Sequence, residues 1–187
     1  MSKRYSLGQF GGLKITADET AALGGLVLAG LYSVVGYKLY RLRPGRAIAG
    51  GLVATLLHFL SELWHQFGHA RAARESGYPM EGIHLWGVLG NSVYPVDEPD
   101  LSGDVHVRRA LGGPKASLGA TIIGTLIAAL IGPTRGLLGM ISTLFALENL
   151  LIFTLGAFLP LRFIETDGSI LLRYRRAHRR RSVIIQE

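Results

Sequence analysis

Four long apolar runs organise this chain, at approximately residues 20–37, 47–70, 116–132 and 136–161. A helix needs about 20 apolar residues to cross a hydrocarbon core. The runs therefore predict an all-α integral membrane protein with about four transmembrane helices. The first and third runs are short and rich in glycine, which predicts that they lie inside the bundle, where small residues let backbones approach closely. The polar stretch at 71–115 has a different pattern: Tyr94-Pro95, Pro99 and an acidic run at 97–104 follow the weakly alternating GIHLWGVLG. Alternation bounded by turn residues predicts a small extramembrane β-hairpin or loop insertion. The chain thus divides into an N-terminal segment at 1–19, a transmembrane core at 20–161 containing the 71–115 loop, and a basic tail at 162–187. All belong to a single membrane domain without internal repeats.

Composition supports this picture. Hydrophobic residues make up 49% of the chain, mean hydropathy is +0.32, and there are 25 glycines among 187 residues. Cysteine is absent, which excludes disulfides and thiolate metal sites. The formal charge of +7 is concentrated in the flanks and in the tail RRAHRRR. Beside apolar spans such a cluster reads as contact with anionic lipid rather than nucleic acid. The opening MSKRYSLGQFGGLKI has early cations but no apolar core or small-residue cleavage site, so no signal peptide is expected. With four spans, the N-terminus, the second loop and the C-terminus share one side. Only Lys38, Arg41, Arg43, Arg46 and Arg135, of 20 Lys and Arg residues, fall on the other side. Cations mark the cytoplasmic face, so both termini are expected in the cytoplasm, and a prokaryotic plasma membrane suits the whole.

The second run carries polar residues that a membrane helix would not carry without reason. At about 100° per residue, His58, Glu62, His65 and His69 fall in a stripe about 60° wide, with Gln66 at its edge. Ionisable groups inside a membrane pair, face water or bind something, and are functional candidates for that reason. A polar seam against another helix is the plain alternative. The spacing of His65-Gln66-Phe67-Gly68-His69 differs by one functional group from His-Glu-x-x-His, in which two histidines hold zinc and the glutamate handles the water. Zinc requires a third protein ligand, and Asp167 in FIETDGSILLRY is the best candidate by membrane side; Glu165 is a weaker one, and an ordinary Asp-Gly turn is equally consistent with the spacing. Glu62 precedes His65 by one turn and is expected to pair with His58 or His65, outside the ligand set. The histidines would also suit haem or a pigment, although nothing selects that reading.

These pieces together resemble the site-2 protease family of intramembrane zinc metalloproteases. HQFGH at 65–69, GGPKASLGA at 112–120 and TDG at 166–168 stand in the order of the family's His-Glu-x-x-His, Gly-Pro and Asp-Gly motifs. The likeness covers residues 54–172. It implies a three-helix core to which the first span is added, and zinc held by His65, His69 and Asp167. It also implies that Gly113, Pro114 and Ser117 form the Gly-Pro motif. Three departures are evident: Gln66 replaces the general-base glutamate, Ser117 stands where the family usually has asparagine, and Ala157-Phe158-Leu159-Pro160 stands for its Asn-x-x-Pro. An amide cannot act as a general base. The expectation is a non-proteolytic homologue that binds or packs against other membrane proteins, as a subunit of a complex, with a retained metal. The alternative is an active intramembrane zinc endopeptidase in which Gln66 is an engineered or tolerated change.

Overall fold

The structure is a computed structural model that describes residues 3–161 and 165–174. The tail cluster RRAHRRR and its expected lipid contacts lie outside the described residues, as does Arg162. Two strands open the chain, β1 (Arg4–Phe10) and β2 (Leu13–Asp18). Helices α1 (Glu19–Lys38) and α2 (Pro44–Glu75) follow, then strands β3 (Gly82–Trp86) and β4 (Leu89–Val93). The chain continues through α3 (Gly103–Ala110), α4 (Gly112–Ile131) and α5 (Gly136–Glu148). Beyond α5 the helix runs on as a π-helical segment, Asn149–Leu155, and a 3₁₀ turn, Gly156–Phe158. The four spans correspond to α1, α2, the α3–α4 unit and α5 with its continuation, each long and apolar enough to cross a membrane. The chain is an integral membrane protein built on four helices.

The hairpin at 82–93 forms as expected, but it belongs to a larger sheet. Strand order is β1-β2-β3-β4, antiparallel except between β2 and β3, which run parallel. The N-terminal strands lack a clean alternation because a register shift interrupts β1 between Ser6 and Gly8. Their signal was the Gly11-Gly12 turn, where both residues take positive φ, 58° and 84°, as a tight two-residue hairpin loop requires. Asp18 then ends β2 and caps α1, accepting from the Thr20 amide at 2.9 Å.

The expectation that the first and third spans are interior is corrected. The most buried helix is α2, while α1 and α4 turn apolar faces outward, α4 with Ile122, Ile123, Leu126 and Leu130. The reason lies in the polar stripe. His58, Glu62, His65, Gln66 and His69 are all buried, and only a central position hides them from lipid. The glycines do allow close approach, at the edges of α2. A β-carbon on Gly51 would lie 2.5 Å from the Ala29 carbonyl oxygen of α1, and one on Gly68 would lie 2.4 Å from that of Gly112 on α4. The loop expected at 71–115 is also shorter than its sequence suggests. Helix α2 runs to Glu75 and stops in a Schellman motif, with Tyr78 N–H bonded to the Ala73 carbonyl and Gly77 at φ 83°. At the other end α4 begins at Gly112, since Pro114 sits in its first turn, where no amide hydrogen is required.

Candidate metal centre

Four residues apart on α2, His65 and His69 present their rings to one another, with Nε2 atoms 3.0 Å apart. Asp167 closes the group from beyond α5, with Oδ2 3.5 Å from His65 Nε2 and Oδ1 3.5 Å from His69 Nε2. Ligand atoms of the three residues lie within 4.8 Å of one another. Glu165, the weaker alternative, pairs with Arg173 at the surface. Gly168 lets the aspartate reach the site: a β-carbon there would lie 2.0 Å from the Phe158 carbonyl oxygen. The Asp-Gly pair therefore allows close packing against the end of the fourth span. Burial raises the Asp167 carboxyl to about 6, opposed by the charge of His69.

Each imidazole is oriented through its other nitrogen. His69 Nδ1 lies 2.8 Å from the Arg109 carbonyl oxygen. A carbonyl only accepts, and this contact is shorter than the 3.3 Å approach of the Gly113 amide to the same nitrogen, so it selects the tautomer with the proton on Nδ1 and the lone pair on Nε2. His65 Nδ1 lies 3.0 Å from Ser117 Oγ. A hydroxyl can accept that proton too, leaving the second Nε2 bare. Outer partners of this kind fix ring orientation in metal sites. Gly113 supplies the space beside them. A β-carbon there would lie 2.3 Å from His69 Nε2 and 2.4 Å from His65 Nε2, so any side chain would fill the gap between the nitrogens. Two imidazole nitrogens and a carboxylate around such a cradle suit zinc, which takes three protein ligands and leaves a fourth position open. The group lies in the wall of a cavity of about 850 Å³, bounded by β4 on one side and by Phe153, Ala157 and Tyr174 on the other.

Gln66 has a different role. Its Nε2 donates to Glu62 Oε1 at 2.9 Å and to the Gly90 carbonyl at 2.8 Å, and its Oε1 accepts from Ser92 Oγ at 2.8 Å. Both amide hydrogens and the amide oxygen are committed, and together they fasten β4 to α2. Glu62 therefore bonds to Gln66, and His58 pairs instead with Glu148 at 3.2 Å. Both differ from the expected pairing of Glu62 with a histidine. The reason is reach: His58 faces α5, which brings its own carboxylate.

Sequence reasoning missed Arg109, which is 4% exposed. Its guanidinium donates to both carboxylate oxygens of Glu98 and to the Tyr78 carbonyl, and it lies 4.2 Å from the Tyr94 ring centroid. The clamp anchors the residue whose carbonyl orients His69. The arginine bond holds the Glu98 carboxyl below the ordinary carboxylate range. Only the chain's tertiary path brings these residues together, so no local pattern marks them.

No family model matches this chain, and no curated protein does. Among solved structures, the site-2 protease from Methanocaldococcus jannaschii is similar, with a TM-score of 0.62 at 21% identity over 91% of this chain and 70% of that one. The chain has a site-2 protease-like fold.

Proposed function

We propose that this protein is a non-proteolytic relative of the intramembrane metalloproteases, which keeps the metal centre as a structural element and uses the adjoining cavity to hold a segment of another membrane protein. The observation that carries this reading is the environment of Gln66. Two acceptors, the Glu62 carboxylate and the Gly90 carbonyl, face its amide nitrogen. They require a donor at that atom. An ionised glutamate there would set oxygen against oxygen in a buried setting. The position of the general base is thus given over to fastening the hairpin, and the polar changes at Ser117 and Ala157 accompany it.

The residues fit zinc. His65, His69 and Asp167 would hold it, Arg109 and Ser117 would orient the two rings, and Gly113 would leave it room. Bound zinc would supply Lewis acidity to whatever occupies the fourth position. The chain's own contribution is to bury the ligands, fix the tautomer of His69 and keep the cavity side open. Partners on this reading are transmembrane helices of other membrane proteins, and anionic lipids at the basic tail, with no nucleic acid. We place both termini in the cytoplasm of a prokaryotic cell, and the chain as one subunit of a membrane complex.

The alternative, an active zinc endopeptidase, is favoured by one observation: the ligand group is complete and lines a cavity large enough for a peptide segment. The two readings separate in a cleavage assay in liposomes with zinc, using helix-destabilised transmembrane substrates. Neither the protein nor its Gln66→Glu variant is expected to cleave, because metal, base and oxyanion donors act as a unit and one restored member returns little. Zinc-dependent cleavage by either form would overturn the proposal.

A further inference from the structure

A second polar group lies along the same stripe, about 10 Å down α2 from His65 by helical rise. His58 is 2% exposed, and its Nε2 lies 2.7 Å from the Val88 carbonyl oxygen at the tip of the β3–β4 hairpin. The carbonyl only accepts, so Nε2 carries a hydrogen. Nδ1 faces Glu148 Oε1 at 3.2 Å. With Nε2 protonated, ring and carboxyl share a single further proton, as imidazolium and carboxylate or as imidazole and carboxylic acid. Either arrangement is neutral. Loss of that proton alone would strand a negative charge in the span, at a cost of several kcal/mol.

The other half of the group is unsatisfied. Glu148 Oε2 and Asn149 Oδ1 are buried and have no hydrogen-bond partner among the described residues. Asn149 is 0% exposed and Glu148 6%. The amide cannot be turned round, since its Nδ2 donates to Ser61 Oγ and to the Phe145 carbonyl, both at 2.9 Å. Ser61 follows His58 by three residues on the same face of α2. Two neighbouring residues, where α5 passes into its π-helical form and packs against α2, thus each bury an oxygen that accepts no hydrogen bond, one from a carboxyl and one from an amide. Such π segments commonly mark functional positions. The Phe153 ring stands between this group and the metal centre, 5.3 Å from the His58 ring and 6.1 Å from that of His65.

We propose that this buried group binds one small monovalent cation of the sodium class through the unpartnered oxygens of Glu148 and Asn149, in exchange for the proton shared by His58 and Glu148. The exchange balances: the cation enters, the proton leaves to solvent, and the group stays neutral with Glu148 as carboxylate and His58 as the uncharged imidazole. A divalent ion would leave a net positive charge within the membrane, and hard oxygen donors disfavour soft metals. Other titratable groups are set apart. Glu62, one turn above, bonds to Gln66, and His65, His69 and Asp167 lie beyond Phe153. The hairpin presents only the Val88 carbonyl, and α1 and α4 carry no acidic, basic or histidine side chain in mid-span.

The test uses the full chain in nanodiscs. Thermal unfolding is followed in sodium, lithium, potassium and choline chlorides at equal ionic strength, and proton release on sodium addition is read with a pH-sensitive dye in weak buffer. Sodium should raise the unfolding temperature in a saturable way and release a single proton per chain. The infrared signature of the shared proton, a protonated carboxyl or an imidazolium, should fall in parallel. Glu148→Gln, which keeps the shape, should abolish all three responses while still binding metal at His65 and His69. Equal unfolding temperatures in sodium and choline, with no proton release, would mean that the two oxygens meet water only and would overturn the proposal. So would an unchanged response in Glu148→Gln. Should that variant fail to fold, the proton count of the unaltered chain decides: one proton released per chain in sodium and none in choline supports the site, and no release overturns it.

Discussion

His65 and Gln66 are neighbours on one turn of α2, both buried, yet they are held in opposite ways. The histidine is fixed through Nδ1 so that Nε2 stays free towards His69, Asp167 and the cavity. The glutamine has all its polar groups bonded within the protein, and none is left for a reacting molecule. A ligand-binding side chain keeps one valence open and is steadied from behind, whereas a structural one is saturated. The comparison separates a retained metal centre from a general-base position that has become a fastening, and substitutions can attack each side of it.

The largest effect is expected at the open side. His69→Ala removes one of three ligands, and zinc affinity measured with a chromophoric chelator should fall by more than about 100-fold, the upper end of what outer partners contribute. Affinity within about tenfold of the unaltered protein would show that His69 is a seam residue and would remove the metal half of the comparison.

The next effect tests whether the open side depends on the clamp behind it. Arg109 is buried and its charge is balanced by Glu98. Glu98→Gln leaves that guanidinium uncompensated and should cost about 3 kcal/mol of stability in denaturant titrations. The sign with pH follows from the lowered Glu98 carboxyl. A lowered carboxyl contributes stability that is present above its unfolded value and is lost as pH falls through the folded one. Stability should therefore fall on acidification below the ordinary carboxylate range, and that loss should be reduced in Glu98→Gln. An unchanged acid limb would assign the loss to other carboxylates.

The saturated side is tested by Gln66→Glu. An oxygen replaces the nitrogen that faces Glu62 and Gly90, two hydrogen bonds are lost, and at neutral pH the variant should unfold about 1–3 kcal/mol more easily. Equal stability would mean that position 66 accepts a carboxylate, and the case against a working general base would weaken with it.

How far such residues could be read from the sequence depends on the range of the forces that place them. The spans, the 82–93 hairpin and the His65–His69 pair follow from periodicities of a few residues. Asp167 could be chosen by membrane side, but its approach depends on Gly168 passing the Phe158 carbonyl, which no local pattern reveals. The clamp of Arg109 on Glu98 and the facing of His58 and Glu148 are set by how distant segments pack. The N-terminal strands were hidden by the shift in β1, although Gly11-Gly12 marked their turn. Glycine content was misleading about position, because glycine records where a backbone is approached: Gly24 and Gly36 of α1 meet Gly87 and Met140, and Gly124 of α4 meets Phe145, while the opposite faces of both helices stay exposed.

The smallest effect sharpens the comparison most, since it changes support behind an open valence and leaves every ligand in place. Ser117 is 0% exposed, and its hydroxyl lies 3.0 Å from His65 Nδ1. Ser117→Ala removes that partner and little volume. If Ser117 steadies the ring so that Nε2 faces the metal, zinc affinity should fall about tenfold, the lower end of the range for such partners. Stability without metal should change by about 1 kcal/mol, as for a single neutral hydrogen bond. The ratio carries the inference: a purely structural serine would lower stability and leave affinity per folded molecule untouched. Ser117→Thr, which restores a hydroxyl, should recover part of the affinity. A full loss of stability with no change in affinity would place Ser117 with Gln66, as a fastening between α2 and α4, and leave His69 the only histidine of the pair with a held tautomer.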